Sequence, residues 1–261
     1  MLKIKDLEVQ YGARAAAVKH FDLRMKKGEI VSIVGESGSG KTTVIRAVLH
    51  ALPPLARVNA AVMEFEGKSL SSMTDSQWRE LRGTDISMIF QDSSASLNPI
   101  RRIGKQYTDY IRTHKKMSAN EAAVLAEEML KKMRLPDAGR VMKSYPYQLS
   151  GGMCQRVGIA MAMTFQPKLL LADEPTSALD VTTQAQIVKQ MMELRDIYGT
   201  SIIIVTHNLG VAAYMADQLI VMKNGRIEDR GSAKAVLTQP KSEYTKKLLQ
   251  SVPEMEGHRF V

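Results

Sequence analysis

Gly35-Glu36-Ser37-Gly38-Ser39-Gly40-Lys41-Thr42 lies between an apolar run, Glu29-Ile-Val-Ser-Ile-Val34, and a stretch of helical spacing, Thr43-Val-Ile-Arg-Ala-Val-Leu49. Strand, glycine-rich turn and helix in that order make a phosphate cradle. Glycines let successive backbone N–H groups converge on one anion, and the helix adds the positive end of its dipole. The pattern is G-x-x-x-x-G-K-[ST], in which Lys41 reaches the β- and γ-phosphates and the Thr42 hydroxyl ligates Mg²⁺. The candidate cofactor-binding residues here are Gly35, Ser37, Gly38, Ser39, Gly40, Lys41, Thr42 and Thr43. A bare Gly/Ser surface turn is the competing reading, and the flanking strand and helix argue against it.

A second acidic element supports the first. Lys168-Leu-Leu-Leu-Ala-Asp173-Glu174-Pro175 is a short apolar run, as expected of a fully buried parallel strand, and it ends in two carboxylates. Ligands of open α/β sheets bind beyond the carboxyl ends of such strands. Asp173 is the candidate Mg²⁺ partner, acting through water because Mg²⁺ gives up its waters reluctantly and uses few carboxylates. Glu174 is the candidate general base for an attacking water.

Composition leaves room for this machinery and little else. The chain has 261 residues, 44% apolar and 24% charged, enough for one large core or a core with a subdomain. Its apolar runs, such as Ile202 to Val205, are far too short to cross a bilayer, and the amino end lacks the apolar stretch of a signal peptide. The expectation is a soluble intracellular protein. Cys154 is the single cysteine, so neither an intrachain disulfide nor a cysteine metal cluster can form. The 17 methionines scatter through helical apolar positions and read as core filler. A net charge of +9 calls for an anionic neighbour without choosing among nucleic acid, lipid head groups and the nucleotide itself.

Three zones follow along the chain. Residues 1 to about 35 alternate in the β manner and predict an antiparallel wing beside the nucleotide. Residues about 98 to 165 read helically, with Ser118-Ala-Asn-Glu121 as a capping box opening a helix from Ala122 to Met133, and with Pro136-Asp137-Ala138-Gly139 stopping it. Strands at Leu169 and at Ser201 to Val205, separated by a helix from Thr182 to Tyr198, restore the β-α-β rhythm of a parallel sheet. The expected division is a core with its β wing (1–97 and 165–231), a helical insertion (98–164) and a helical tail (232–261).

Between the phosphate motifs stands Tyr145-Pro-Tyr-Gln-Leu149-Ser150-Gly151-Gly152-Met153-Cys154-Gln155-Arg156. Ser150 can cap a helix, and the amides of Gly151 and Gly152 can approach an anion closely. Here the chain resembles the ATP-binding-cassette ATPases, whose signature is L-S-G-G-x-x-Q-R, and the resemblance covers almost its whole length. It implies an α/β P-loop NTPase core, RecA-like, with an antiparallel β subdomain and an inserted helical subdomain. It further implies that Tyr11, 30 positions before Lys41, stacks on adenine, and that Gln91 in Ile89-Phe90-Gln91-Asp92 touches Mg²⁺ and the attacking water. Ser177-Ala-Leu-Asp180 would be the loop crossing a dimer interface, and His207 in Val205-Thr206-His207 the switch at the γ-phosphate. The implied catalytic set is Glu174, His207 and Gln91. The implied metal set is Thr42, Gln91 and Asp173, and Ser150, Gly151 and Gly152 complete the ATP site of a partner subunit.

The resemblance also implies partners. Two cassettes would close head to tail on ATP, a homodimer or a pair with a second ABC ATPase, and drive integral membrane permease subunits fed by an extracytoplasmic solute-binding protein. Its place would be peripheral, on the cytoplasmic face of the inner membrane. Phe90 to Pro99, the Tyr145 to Met153 run and Glu243 to Pro253 resemble the dipeptide, oligopeptide and nickel importer ATPases. Ser93 stands where many peptide members have proline, and the sequence runs eight residues past Pro253, short of the Cys-containing extension of longer members. That keeps nickel or metallophore import beside peptide import. A cassette ATPase acting on nucleic acid or ribosomes is the alternative, with no long coiled-coil insertion, zinc cysteines or second cassette to favour it.

Overall fold

The structure is a computed structural model that describes residues 1–177 and 179–250. Contacts divide the chain into two compact units, one of Met1–Arg79 with the chain from Ser201, the other Glu80–Thr200.

The first unit opens with two long antiparallel strands, β1 (Leu2–Tyr11) and β2 (Val18–Met25). Their apolar alternation is broken between Ile4 and Leu7, where the register shifts and Asp6 takes a φ of 52°. That bulge absorbs one residue and keeps Leu7 fully buried; the Asp6 N–H, turned out of the ladder, donates to Asp22 Oδ1 at 2.7 Å. After β3 (Ile30–Val34) and helix α1 (Lys41–Val48), the chain returns to this sheet as β4 (Ala56–Asn59), β5 (Val62–Phe65) and β6 (Lys68–Ser69), followed by α2 (Asp75–Leu81). β1 is central, paired with β2, β4 and β5. The wing is therefore larger than the first 35 residues suggest. β4 reads Ala-Arg-Val-Asn and lies largely exposed, so it carries no apolar alternation to announce it.

The second unit starts with β7 (Ile86–Ile89) and a one-turn helix α3 (Ser93–Ser96), then α4 (Ile103–His114), α5 (Ala119–Lys132) and α6 (Ala138–Lys143). A 3₁₀ turn (Pro146–Gln148) leads into α7 (Gly151–Met163), β8 (Leu169–Asp173) and α8 (Val181–Tyr198). The capping box at Ser118 forms in full, and Asp137 both follows α5 and caps α6 by accepting from the Arg140 N–H. Tyr107 is wholly buried, its hydroxyl paired with Thr164 Oγ1 at 2.8 Å, and burial pushes its ionisation far above the ordinary phenol range.

His114 sits in this unit against Tyr110 and Phe165, ring centroids 4.9 and 5.7 Å away, and a Cβ on Gly83 would lie 2.6 Å from its Nε2. Partial burial depresses its pKa below the ordinary 6.5. The unfolded chain then takes up the proton first, so this contribution to stability is complete above the unfolded pKa and declines as pH falls below it. His114→Phe is expected to lose less stability than the parent between about pH 7 and about pH 5, as read by denaturant melts. Parallel curves for the two proteins would remove His114 as the cause.

The chain then re-enters the first unit through β9 (Ser201–Thr206), α9 (Leu209–Met215), β10 (Gln218–Lys223), β11 (Arg226–Ser232), α10 (Ala233–Thr238) and α11 (Glu243–Gln250). β3 lies between β10 and β9, parallel to both, and β11 joins β10 antiparallel. Ile30, Val31, Ile33 and Val34 are all fully buried, the continuous apolar burial of a central parallel strand. Of the expected tail, residues 251–261, including Pro253, lie outside the described residues, as does Ala178.

Candidate functional site

The first unit carries the phosphate loop. Val34 stands opposite Thr206, so Gly35 and His207 leave neighbouring parallel strands at the same end. Two glycines are dictated by crowding as well as by φ. A Cβ on Gly35 (φ 146°) would lie 2.1 Å from the Met222 carbonyl oxygen, and one on Gly40 (φ 101°) would lie 2.5 Å from that of Ala17. Lys41 is buried and folds back over the loop, its Nζ donating to the carbonyls of Gly35 (2.8 Å) and Glu36 (2.7 Å). α1 begins at Gly40 with no side-chain cap and no acid in its first turn, the electrostatics of an anion site. Ser39 is buried, Ser37 and Gly38 are exposed, and Thr42 and Thr43 are half-buried. The Tyr11 hydroxyl lies 3.2 Å from Thr43 Oγ1, which ties the wing's aromatic to the helix after the loop. His207 is exposed just past β9, beside Asn208, which caps α9 by accepting from the Val211 N–H at 3.2 Å.

The second unit carries the acidic element. β7 and β8 run parallel with Ile89 opposite Ala172, so Gln91 and the pair Asp173-Glu174 emerge at one end. Gln91 Nε2 donates to Glu174 Oε2 at 3.4 Å, and Asp173 closes β8 almost fully buried. Glu174 has a φ of 44°, a left-handed conformation uncommon outside glycine. Ser177 holds it there, since both its N–H and its hydroxyl reach the Glu174 carbonyl at 3.2 Å. Backbone strain of this kind persists only where neighbours fix it. The result is a half-buried carboxylate just past the end of β8, in hydrogen-bond contact with Gln91.

At the start of α7, Ser150 accepts from the Met153 N–H at 3.3 Å, and Gly151 and Gly152 form the first turn. They line a cavity of about 300 Å³ with Arg156, Leu179, Asp180 and Thr183. A Cβ on Gly152 would lie 2.8 Å from Thr183 Cγ2, so any side chain there would force Thr183 or the α7 terminus to shift. Asp180 caps α8 by accepting from the Thr183 N–H at 2.9 Å, and the hydrogen bonds from Thr183 hold its pKa below the usual carboxylate range. Two helix N-termini thus border one small polar hollow. The sequence gives no signal for Thr183, more than thirty positions from Ser150, because only the packing of α7 on α8 brings them together.

Comparison with known proteins supplies the family. The ABC transporter family profile matches residues 18–177. The dipeptide transport ATP-binding protein DppD of Bacillus subtilis is 42% identical over 260 residues, covering 98% of this chain and 78% of its own. The oligopeptide transport ATP-binding protein OppD of the same organism is 42% identical over 261 residues, covering 98% and 73%. Among solved structures, the dimeric post-hydrolysis state of the ATP-binding cassette MJ0796 bound to ADP and Pi superposes with a TM-score of 0.76 at 30% identity, over 89% of this chain and 99% of that one. The cbiO1 subunit of the cbiONQ transporter complex of Clostridium perfringens gives 0.77 at 27%, over 91% and 90%. With that family profile over more than half of its length and relatives 42% identical over nearly all of it, this chain belongs to the ATP-hydrolysing subunits of ABC transporters, in the branch of the dipeptide and oligopeptide ATP-binding proteins.

Proposed function

We propose that this ATPase energises the import of short peptides. The observation that carries the reading is identity above 40% to a dipeptide and an oligopeptide transport ATP-binding protein over nearly the full chain. The same likeness favours transport over the nucleic-acid alternative. Among the described residues no helix is long and apolar enough to cross a membrane. The pathway then belongs to permease subunits, against which this chain sits on the cytoplasmic face, its +9 charge aiding an approach to anionic lipid.

In the mechanism, Gly35 to Thr43 hold the phosphates, Tyr11 stacks on the base, and Glu174, oriented by Gln91, takes a proton from the attacking water while His207 faces the γ-phosphate. Ser150, Gly151 and Gly152 receive the ATP held by a second cassette, so ATP acts as the bond between two subunits and its cleavage releases them. Magnesium fits the donor chemistry. Among the described residues no cluster of three or more His, Cys, Asp or Glu could cage a metal, which suits an ion held by one carboxylate, Asp173, one hydroxyl, Thr42, and otherwise by nucleotide and water, with Gln91 at hand. When bound, it would neutralise phosphate charge.

The segment from Gln91 to Pro99 is the proposed seat for a short permease helix. Leu97 is buried, so charging it tests folding; Phe90 and Ile100 are the exposed apolar side chains on either side of the segment. Deleting the gene from its host should abolish uptake of a labelled dipeptide or oligopeptide and leave nickel uptake intact. Ile100→Asp should lower that uptake while the purified chain keeps its ATP affinity. Intact peptide uptake with nickel uptake lost would reverse the cargo assignment.

A further inference from the structure

The tail helix α11 reaches the phosphate loop. The Glu36 N–H donates to Tyr244 Oη at 3.2 Å. It does so on the loop's outer arm, Glu36 to Gly38, which is exposed. The Glu36 carbonyl accepts from Lys41 Nζ at 2.7 Å. Glu36 is therefore held from inside by the phosphate-binding lysine and from outside by the tail.

Tyr244 is itself firmly seated. Lys223 Nζ lies 4.5 Å from its ring centroid, a cation–π contact from the end of β10. Its own N–H donates to Ser242 Oγ at 3.1 Å, and the Lys241 and Ser242 N–H groups both donate to Asp229 Oδ2, at 2.8 and 2.9 Å. Asp229 is buried in β11, so a fixed carboxylate sets where α11 begins. Tyr244, Leu248 and Leu249 pack on the cluster that includes Val34, the last residue before the loop.

We propose that Tyr244 is a positioning residue of the phosphate loop, holding the Glu36 amide so that the outer arm has its nucleotide-binding shape before phosphate arrives. This rests on the reading of Lys41 as the phosphate-binding lysine. When a triphosphate enters, the Lys41 ammonium exchanges carbonyl oxygens for phosphate oxygens and releases Glu36 from inside. What then holds Glu36 is the Ser39 N–H within the loop, 3.2 Å from its carbonyl, and Tyr244, the anchor from outside the loop. Its hydrogen bond therefore stabilises the bound state more than the free one, and only such a difference changes affinity. Pre-ordering an otherwise exposed arm also lowers the entropy lost on binding.

The test is calorimetric titration of the full chain with a non-hydrolysable ATP analogue and with ADP, alongside steady-state ATPase of the assembled transporter. Tyr244→Phe removes one hydroxyl and keeps the ring, its packing and the Lys223 contact. Both dissociation constants and KM should rise about three- to tenfold, the worth of one net hydrogen bond, with kcat changed far less and the melting temperature of the nucleotide-free chain preserved. Lys223→Met, which loosens the ring without removing the hydroxyl, should move affinity the same way by a smaller factor, and it carries the test if the Phe variant melts early. Parent-like affinity in Tyr244→Phe, or a fall in melting temperature without a change in affinity in both variants, overturns the proposal. Lys41→Ala in the same titration separates the two readings: if it binds like the parent, the assignment of the loop fails, whereas if it loses binding while Tyr244→Phe does not, only the role of Tyr244 fails.

Discussion

Glu174→Gln is expected to slow ATP turnover by ~10²-fold or more, the usual contribution of a positioned base, and to leave nucleotide affinity close to that of the parent. The substitution is nearly isosteric. It keeps an oxygen for the Gln91 amide, 3.4 Å away, and leaves untouched the carbonyl that Ser177 holds at 3.2 Å. What it removes is the lone pair that would receive the proton of water. Turnover is read in the assembled transporter and affinity by titration of the isolated chain. Near-normal turnover would take the base role from Glu174, and collapse of affinity would point instead to a loss of the strained φ 44° turn.

Ser150→Arg should produce the second large effect, on assembly. Ser150 is exposed at the α7 terminus and borders a hollow of only about 300 Å³. An arginine there fills the space in which a partner's nucleotide would dock, and overfilling a fitted contact costs roughly 1–3 kcal/mol. ATP-dependent association, with itself or with a companion ATPase, should weaken by about 5- to 150-fold on the same reasoning. Sedimentation in the Glu174→Gln background, which would retain ATP, gives the readout. The Ser150 hydroxyl also caps α7, so Ser150→Asn serves as the control that keeps an acceptor for the Met153 N–H. If the Arg variant binds ATP as poorly as Lys41→Ala, the hollow does not act on the partner's nucleotide.

The parts of the site visible in the sequence are those whose chemistry is local. The phosphate loop is contiguous, its glycines answer to backbone crowding at Gly35 and Gly40, and the buried strands β3, β8 and β9 announce themselves by short, mostly apolar runs. The capping box at Ser118 and the cap at Ser150 are legible for the same reason, since four consecutive residues contain the whole interaction. β4 was not legible, because an exposed Ala-Arg-Val-Asn strand is defined by pairing with β1 and by nothing in its own pattern. Nor were the Thr183 contact with Gly152 and the Tyr244 bond to Glu36, 208 positions apart, which exist only once helices have packed.

The meeting of α3 with α7 has a consequence for how motion is passed on. A Cβ on Gly158 would lie 2.4 Å from Ser93 Oγ, so at that point only the short Ser93 side chain stands between the two helices. Interiors this dense move as blocks, because sliding one piece past another opens a void or forces a clash. Gln91 stands two residues before α3, and Ser150 caps α7, which Gly151 and Gly152 open. A displacement of α3 that begins at Gln91 would therefore press on α7 through the Ser93 side chain alone, with little slack between the glutamine and the helix that Ser150 opens.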